Sequence, residues 1–508
     1  MRYLAIGFEP FENEIMAHSL HELKRRDVDS SVAIVTADLF SYEQNQARRN
    51  YEKLKENYDF KFYNYFSEYE RWQSGEKGIN YKEQIQKILN RNGIRTSSRI
   101  IAFSDHIFSC FERKPYYNKI SAEEKERVFY YFLKKTEAIL SEFKPDIIFT
   151  IERNYLVKNI FFEFAKNRPI KIYTLLGSRL GKRLYLDHGD GIGTSEYIKI
   201  KMASCHESEL NLAIDWIKKY QKQSNSGGTL YRGLTEERVV RQKKGFLSYL
   251  YTITNETIRV LIAQIYYMAV DKNKKLRVYA GNNFYFILNT FLVFFRSIVG
   301  HLTSSWIFSR NPKSNNYFYY PLHYRPESSS LSLSDGLDDE VVIELISRWL
   351  PLGCTLAVKE NPSMLEHREM KFYKKIKNIP SVELISYKTP SLSLIQNSLG
   401  VVSLSGTALM EARFFGKPSA AIGNPEFSEI VNCKGLSGLK DFLVKCYNKS
   451  YPTEIDDKTI RYVAVMLRSK FKFDIGWSLL NNKDRFVKEL VDEIELANLD
   501  TDPRKVLN

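Results

Sequence analysis

Acids, bases and hydroxyls gather at the ends of several apolar runs, most densely in "YFYYPLHYRPESSS", residues 317 to 330. Aromatic, strand-like residues give way there to His323, Tyr324, Arg325, Pro326 and Glu327, and then to three serines. Proline removes a ladder donor, so the strand should stop at this point and leave Glu327 on the loop just past it. "FTIERN", residues 149 to 154, repeats the arrangement: an apolar run ends in Glu152, followed by Arg153 and Asn154. Two carboxylates that reach one cleft from opposite sides can divide the work at an anomeric carbon. One attacks while the other handles the proton, and their separation sets the stereochemistry. The plainer alternative for Glu152 is an ion pair with its neighbour Arg153.

Two further strings suit an anionic ligand. In "VVSLSGTALMEA", residues 401 to 412, a buried run ends at Ser405, Gly406 and Thr407, and a helix begins. A helix N-terminus offers unpaired N–H groups and the positive end of the dipole, and glycine allows close approach of a phosphate. Glu411, one turn on, could accept bonds from ribose hydroxyls; ordinary helix capping is the alternative for the same residues. In "AVKENPSM", residues 357 to 364, Lys359, Glu360 and Asn361 follow a strand and Pro362 closes the turn. That loop could meet a phosphate or a sugar, or be only a capped turn. "GSRLGKRLYLDHGDGIG", residues 177 to 193, sets Arg179, Lys182 and Arg183 before Asp187, His188 and Asp190. It suits a sugar- or carboxylate-binding loop or a plain hairpin, and less well a metal, because such ligand sets come from separate elements. Walker A, HExxH and GxSxG strings are absent.

Placing these loops requires strands that alternate with helices. "YLAIGF", "SVAIVT" (31 to 36), "RIIAFSD" (99 to 105), "IIFTIE" (147 to 152) and "IKIYTLL" (170 to 176) are short apolar runs separated by helical periodicity. That rhythm predicts βαβ units and a parallel sheet. It returns after residue 316 with "YFYYPL", "CTLAVKE" (354 to 360), "SVELIS" (381 to 386), "GVVSLS" (400 to 405) and "KPSAAIG" (417 to 423). The expected plan is α/β and GT-B-like: a Rossmann-like domain over 1–221 and a nucleotide-sugar-binding one over 316–447, facing a cleft. A helical, basic and aromatic insertion fills 222–315, and helices with a polar tail fill 448–508.

The 508 residues are 44% hydrophobic and 27% charged, enough for two or three cores. The formal net charge of +15 attracts polyanions, anionic lipid or acidic sugars. No recognisable nucleic-acid module accompanies it, so nucleic acid is not an expected partner. Five scattered cysteines without CxxC spacing argue against disulfides and structural zinc, and point to a reducing cytoplasm. The opening "MRYLAIGFEPFENE" reads as a strand and a loop rather than an export signal. "FYFILNTFLVFF", residues 284 to 295, falls short of the roughly 20 residues that span a bilayer. It predicts either a buried or groove-lining helix or one lying on a membrane surface.

The stretch from "YFYYPLHYRPESSS" through "TLAVKENPSM" and "SVELIS", with "SGTALMEARFFGKP" after it, resembles the capsule polysaccharide biosynthesis family. That family includes retaining β-Kdo transferases that use CMP-Kdo, and its strings typically read "PLHYQPE", "VKEHPSM" and "SGTAGLEALLYGKP". The resemblance implies Glu327 as nucleophile and Glu152 as acid/base. Ser405, Gly406 and Thr407 would meet the CMP phosphate and Glu411 the ribose, with Lys359 and Asn361 alongside. His323, Arg325, Arg179 and Arg183 would serve the donor sugar or the acceptor. Arg325 stands where the family has glutamine and Asn361 where it has histidine. The expectation is therefore transfer of Kdo or a related acidic sugar from a CMP donor to a glycan or glycolipid of surface polysaccharide. Neither metal nor other cofactor is expected, and the chain would lie in the cytoplasm, peripheral to the membrane. A UDP- or GDP-sugar transferase or epimerase, or a glycan-binding scaffold without activity, stays as the alternative.

Overall fold

In the computed structural model the described residues are 1–8, 10–36, 44–65, 78–94, 122–153, 156–181, 183–224, 246–270, 283–325, 333–334, 337–362, 364, 368–469, 471–472 and 477–499. They form two compact units, one of Met1–Phe111, Lys119–Cys205 and Val465–Asn508, the other of Glu112–Asn118 and His206–Ala464.

The first unit runs β1 (Arg2–Gly7), α1 (Pro10–Arg26), β2 (Ser31–Thr36), α2 (Gln44–Asn57), β3 (Lys61–Asn64), α3 (Tyr81–Arg91), α4 (Ala122–Phe143), β4 (Ile147–Ile151), α5 (Leu156–Ala165), β5 (Lys171–Gly177), β6 (Leu184–Asp187) and α6 (Glu196–Ala203). Its six-stranded sheet has the order β3-β2-β1-β4-β5-β6, parallel except where β6 pairs antiparallel with β5. β1 and β4 are near-continuous apolar runs because helices cover both faces of a parallel sheet. At Gly7 an added Cβ would fall 2.3 Å from Asn13 Oδ1, so only glycine lets the first turn of α1 lie this close to β1. α1 then carries Glu12 in its first turn and Lys24, Arg25 and Arg26 in its last, as the helix dipole favours.

The second unit runs α7 (Glu207–Ser224), α8 (Phe246–Val270), α9 (Asn283–Ile307), β7 (Tyr317–Pro321), α10 (Asp339–Trp349), β8 (Thr355–Lys359), α11 (Met370–Lys377), β9 (Val382–Ile385), α12 (Ser391–Asn397), β10 (Gly400–Ser403), α13 (Ala408–Phe414), β11 (Ser419–Ala421), β12 (Cys433–Lys434), α14 (Leu439–Tyr447) and α15 (Asp457–Arg468). Its sheet has the order β12-β11-β10-β7-β8-β9, with every pairing parallel. The chain re-enters the first unit at Val465, within α15, and adds α16 (Lys483–Leu499), whose Phe486, Leu490, Val491 and Ile494 join Ile15, Leu20 and Leu23 of α1 in one core.

Both units are Rossmann-like, as the alternating runs predict. Three short strands, β3, β6 and β12, escape the sequence pattern because each is an edge of only two to four residues. "RIIAFSD" lies outside the described residues. α7 packs in the second unit, with Trp216 and Tyr220 against Phe414.

Candidate active site

Both sheets reverse their strand order beside the first strand, between β1 and β4 in one and between β7 and β10 in the other. Ligands of open parallel sheets gather at this point, outside the carboxyl ends of the strands, because the following loops diverge there.

The second sheet fills the position with His323. Leu322 extends β7 by donating its N–H to the Lys359 carbonyl at 2.9 Å, and the next side chain crosses toward β10. His323 Nε2 accepts the backbone N–H of Ser405 at 3.3 Å and lies 3.3 Å from Ser403 Oγ. A backbone N–H only donates, so the ring proton sits on Nδ1, which faces Asp339 Oδ1 at 3.3 Å. Asp339 opens α10 and takes a second bond on the same oxygen from the Tyr320 hydroxyl at 2.8 Å. Burial alone would raise Asp339. The His323 bond and the charges of Arg368 and Arg325 overcome that and hold its carboxyl well below the usual range.

Arg368 ties the loops together. Its guanidinium donates to the His323 carbonyl at 2.6 Å, lies 3.5 Å from Asp339 Oδ2, and pairs with Glu360 Oε2 at 2.9 Å. Glu360 is wholly buried, and it also accepts the Tyr373 hydroxyl at 2.7 Å and the Asn361 N–H at 2.6 Å. Burial pushes Glu360 above its ordinary value, against the opposing charge of Arg368. Two buried carboxylates on one arginine thus have pKa values driven apart. Arg325 pairs with the Asp338 carboxylate and donates to the Leu337 carbonyl, which holds the loop after β7 on the start of α10. Glu327 lies outside the described residues.

On the neighbouring strand Lys359 is 8% exposed and donates to Ser391 Oγ at 2.7 Å. Burial pushes its ammonium down to about 8, opposed only in part by the charges of Glu411 and Glu360. Glu411 is buried on α13 and accepts the Tyr220 hydroxyl at 3.2 Å. Ser405 and Gly406 follow β10, and the Gly406 N–H donates to Ser403 Oγ at 3.3 Å. A Cβ on Gly406 would lie 3.0 Å from that hydroxyl and 3.4 Å from His323 Nε2, so the turn is packed directly on the histidine. α13 then opens at Thr407, whose side chain makes no capping bond. Capping is therefore not what this hydroxyl does. Residues 322 to 325, 359 to 361 and 403 to 407, which the sequence keeps far apart, are joined here by direct bonds.

In the first unit Glu152 follows β4 with φ of 49°, a left-handed conformation that a side chain with a Cβ adopts only at a cost of roughly 1–2 kcal/mol. Beneath it a buried ion pair spans the switch point: Lys158 Nζ lies 2.9 Å from Glu12 Oε2, the Phe8 N–H donates to that oxygen at 2.8 Å, and Lys158 also bonds the Ile151 carbonyl. Arg153 pairs with Asp190 at 2.5 Å and with Glu163 at 2.7 Å.

The β5–β6 hairpin carries Arg179, with φ of 61°, and Arg183, which donates to the Leu467 carbonyl at 3.2 Å and so anchors the hairpin on the chain leading to α16. Asp187, His188 and Asp190 go to separate partners. Ser195 Oγ donates to Asp187 at 2.5 Å, His188 stacks on Tyr197 at 3.4 Å, and Asp190 pairs with Arg153 and with Lys166 at 2.9 Å. Among the described residues no group of three such side chains could hold a metal ion.

Asp339, Arg368, Tyr373, Ser391 and Tyr220 escaped the sequence reading. Asp339 looks like any acid at the start of a helix, and Arg368 sits in a polar string between elements. Only the fold brings them under His323.

No family model and no curated protein matches the chain. Among solved structures it is similar to the UDP-GlcNAc 2-epimerase of Methanocaldococcus jannaschii, at 12% identity and TM-score 0.25 over 92% of this chain and 99% of that one. It is also similar to the β-Kdo 2,7 transferase KpsC of Thermosulfurimonas dismutans, at 11% identity and TM-score 0.31 over 71% and 89%. Anabaena HepE in complex with UDP gives 10% identity and TM-score 0.28 over 97% and 99%. Likenesses this faint leave the fold to rest on its own two sheets and decide neither donor nor reaction.

Proposed function

We propose that this chain is a glycosyltransferase that moves Kdo or a related acidic sugar from a CMP donor to a glycan or glycolipid acceptor, with retention. The observation that carries the reading is the meeting of the three motif loops around His323 at the carboxyl edge of the second sheet. In this mechanism the Glu327 carboxylate attacks the anomeric carbon and the bond to the CMP phosphate breaks. Ser405, Gly406, Thr407 and the Lys359 ammonium receive the charge of the departing phosphate, with Asn361 beside them and Glu411 toward the ribose. Glu152 then takes the proton of the acceptor hydroxyl, whose oxygen displaces Glu327, so that two inversions leave the configuration unchanged. A strained backbone at Glu152 fits a residue held for chemistry rather than for stability. Arg325 and His323, already bound within the protein, hold the loop from which Glu327 departs; Arg179 and Arg183 belong to the acceptor side.

The test is transfer from CMP-Kdo by Glu327→Gln, with thermal shifts in CMP, UDP and GDP alongside. The rate should fall on the order of a thousandfold, and CMP alone should raise the melting temperature. Undiminished transfer would remove the nucleophile. Stabilisation by UDP or GDP in place of CMP would replace the donor, and no transfer from any donor would leave a binding protein.

A further inference from the structure

α8 and α9 are each 25 residues long and pack on one another, yet both turn apolar side chains to solvent. On α9 these are Phe291, Phe295, Val299, Leu302 and Trp306, between 43% and 81% exposed. Steps of three and four residues at 100° per residue confine them to an arc of about 80°. Ile258, Ile262 and Ile265 repeat the spacing on α8 at 47% to 61% exposure. The opposite side of α9 is the packed one, with Ser297 only 2% exposed and Arg296 bonded to Glu369 at 3.0 Å. "FYFILNTFLVFF" thus falls on a helix that keeps Phe291 and Phe295 in solvent, and no described helix is long and apolar enough to cross a membrane.

The border of this stripe is mainly basic, its acids Glu369 and Glu340 being paired with Arg296 and Lys375. α11 packs on α9 and exposes Lys371, Lys374, Lys375 and Lys377. Lys377 Nζ donates to the Trp306 carbonyl at 3.0 Å, which sets a cation beside the exposed indole. α9 itself carries no acidic residue. Apolar side chains on one face, lysines along its edge and a tryptophan at the boundary are what a helix in the headgroup plane requires. A second copy of this chain suits the face less well, because a two-fold contact would bring two lysine borders into one interface. Anionic lipid neutralises them, and each lysine near such a surface adds about 1 kcal/mol.

We propose that the α8–α9 pair and the lysines of α11 form a docking surface for an anionic lipid bilayer. Cosedimentation of the full chain with vesicles of phosphatidylglycerol and phosphatidylcholine, and with phosphatidylcholine alone, tests this. The mixed vesicles should bind at least tenfold more tightly, and the fluorescence that Trp306→Phe removes should shift to the blue on binding. Phe295→Asp with Val299→Asp should reduce binding at least tenfold, and Lys371→Glu with Lys374→Glu should remove the preference for anionic lipid. All variants should keep the circular dichroism and the nucleotide-induced thermal shift of the unaltered chain, which separates this surface from the nucleotide site. Unchanged binding by Phe295→Asp with Val299→Asp overturns the proposal. So does equal binding to both vesicles, or a dimer in light scattering that this pair of substitutions dissolves while the unaltered chain ignores vesicles.

Discussion

The backbone N–H of Ser405 donates to Nε2 of His323 at 3.3 Å, so the loops after β7 and β10 are fastened to each other where the sheet's strand order reverses. The loop after β10 is thus positioned by a side chain from another strand, on top of its own local geometry. His323→Ala leaves the Ser405 N–H and Asp339 each short of a buried bond. The expected loss is roughly 1–3 kcal/mol in urea unfolding, together with about tenfold weaker CMP binding by calorimetry. Unchanged CMP affinity would show that the tie does not shape the nucleotide site.

Lys359 gives a pH dependence whose sign is fixed by its burial. Its folded value of about 8 lies below the unconstrained 10.5, so between these the unfolded chain holds more protons and stability rises with pH. The cost of burying the charge is fully present below pH 8 and gone above the unfolded value. A bound phosphate favours the charged lysine, so nucleotide affinity should weaken about tenfold from pH 7 to 9 as the free protein loses that proton. Lys359→Arg stays charged and should flatten the profile. A slope that survives in that variant assigns the titration elsewhere.

Glu152 separates strain from chemistry. Glu152→Gly removes the left-handed penalty at φ of 49° and should raise the melting temperature by roughly 1–2 °C while abolishing transfer. Glu152→Gln keeps the strain and loses the base, so activity should fall with no gain in stability. If glycine destabilises the protein instead, contacts of this side chain hold the turn and the strain argument fails.

Arg368 is the shared partner of two buried carboxylates, Asp339 and Glu360. Arg368→Met leaves Glu360 without its paired cation and Asp339 dependent on His323 and Arg325, and should lower stability by about 3–5 kcal/mol. Adding Glu360→Gln should restore part of the loss, and a double-mutant cycle measures how much. Additive losses would show that the pair is not coupled.

The sequence discloses what repeats along it and hides what is assembled across it. The parallel strands were legible because runs such as "SVAIVT" and "IIFTI" are buried on both faces and so apolar throughout. Ser405, Gly406, Lys359 and Asn361 were legible as strand-end residues for the same reason. Asp339 and Arg368 were not, because their environment comes from residues 16 and 45 positions from His323. Two partners of Arg153 were hidden likewise: Asp190 lies 37 residues away and Glu163 ten. The exposed stripe of α9 has the spacing of a core helix, and only its surroundings tell the two apart.

The return of α16 to the first unit orders the birth of the protein. Phe486, Leu490, Val491 and Ile494 complete a core begun by Ile15 and Leu20, yet they are synthesised after the whole of the second sheet. A chain emerging from the ribosome therefore carries its earliest core unfinished, with the apolar side of α1 that Phe486 and Leu490 will pack on left open, while the later unit can already close. The first part made is the last to become native, and through that interval it is the part most in need of a chaperone.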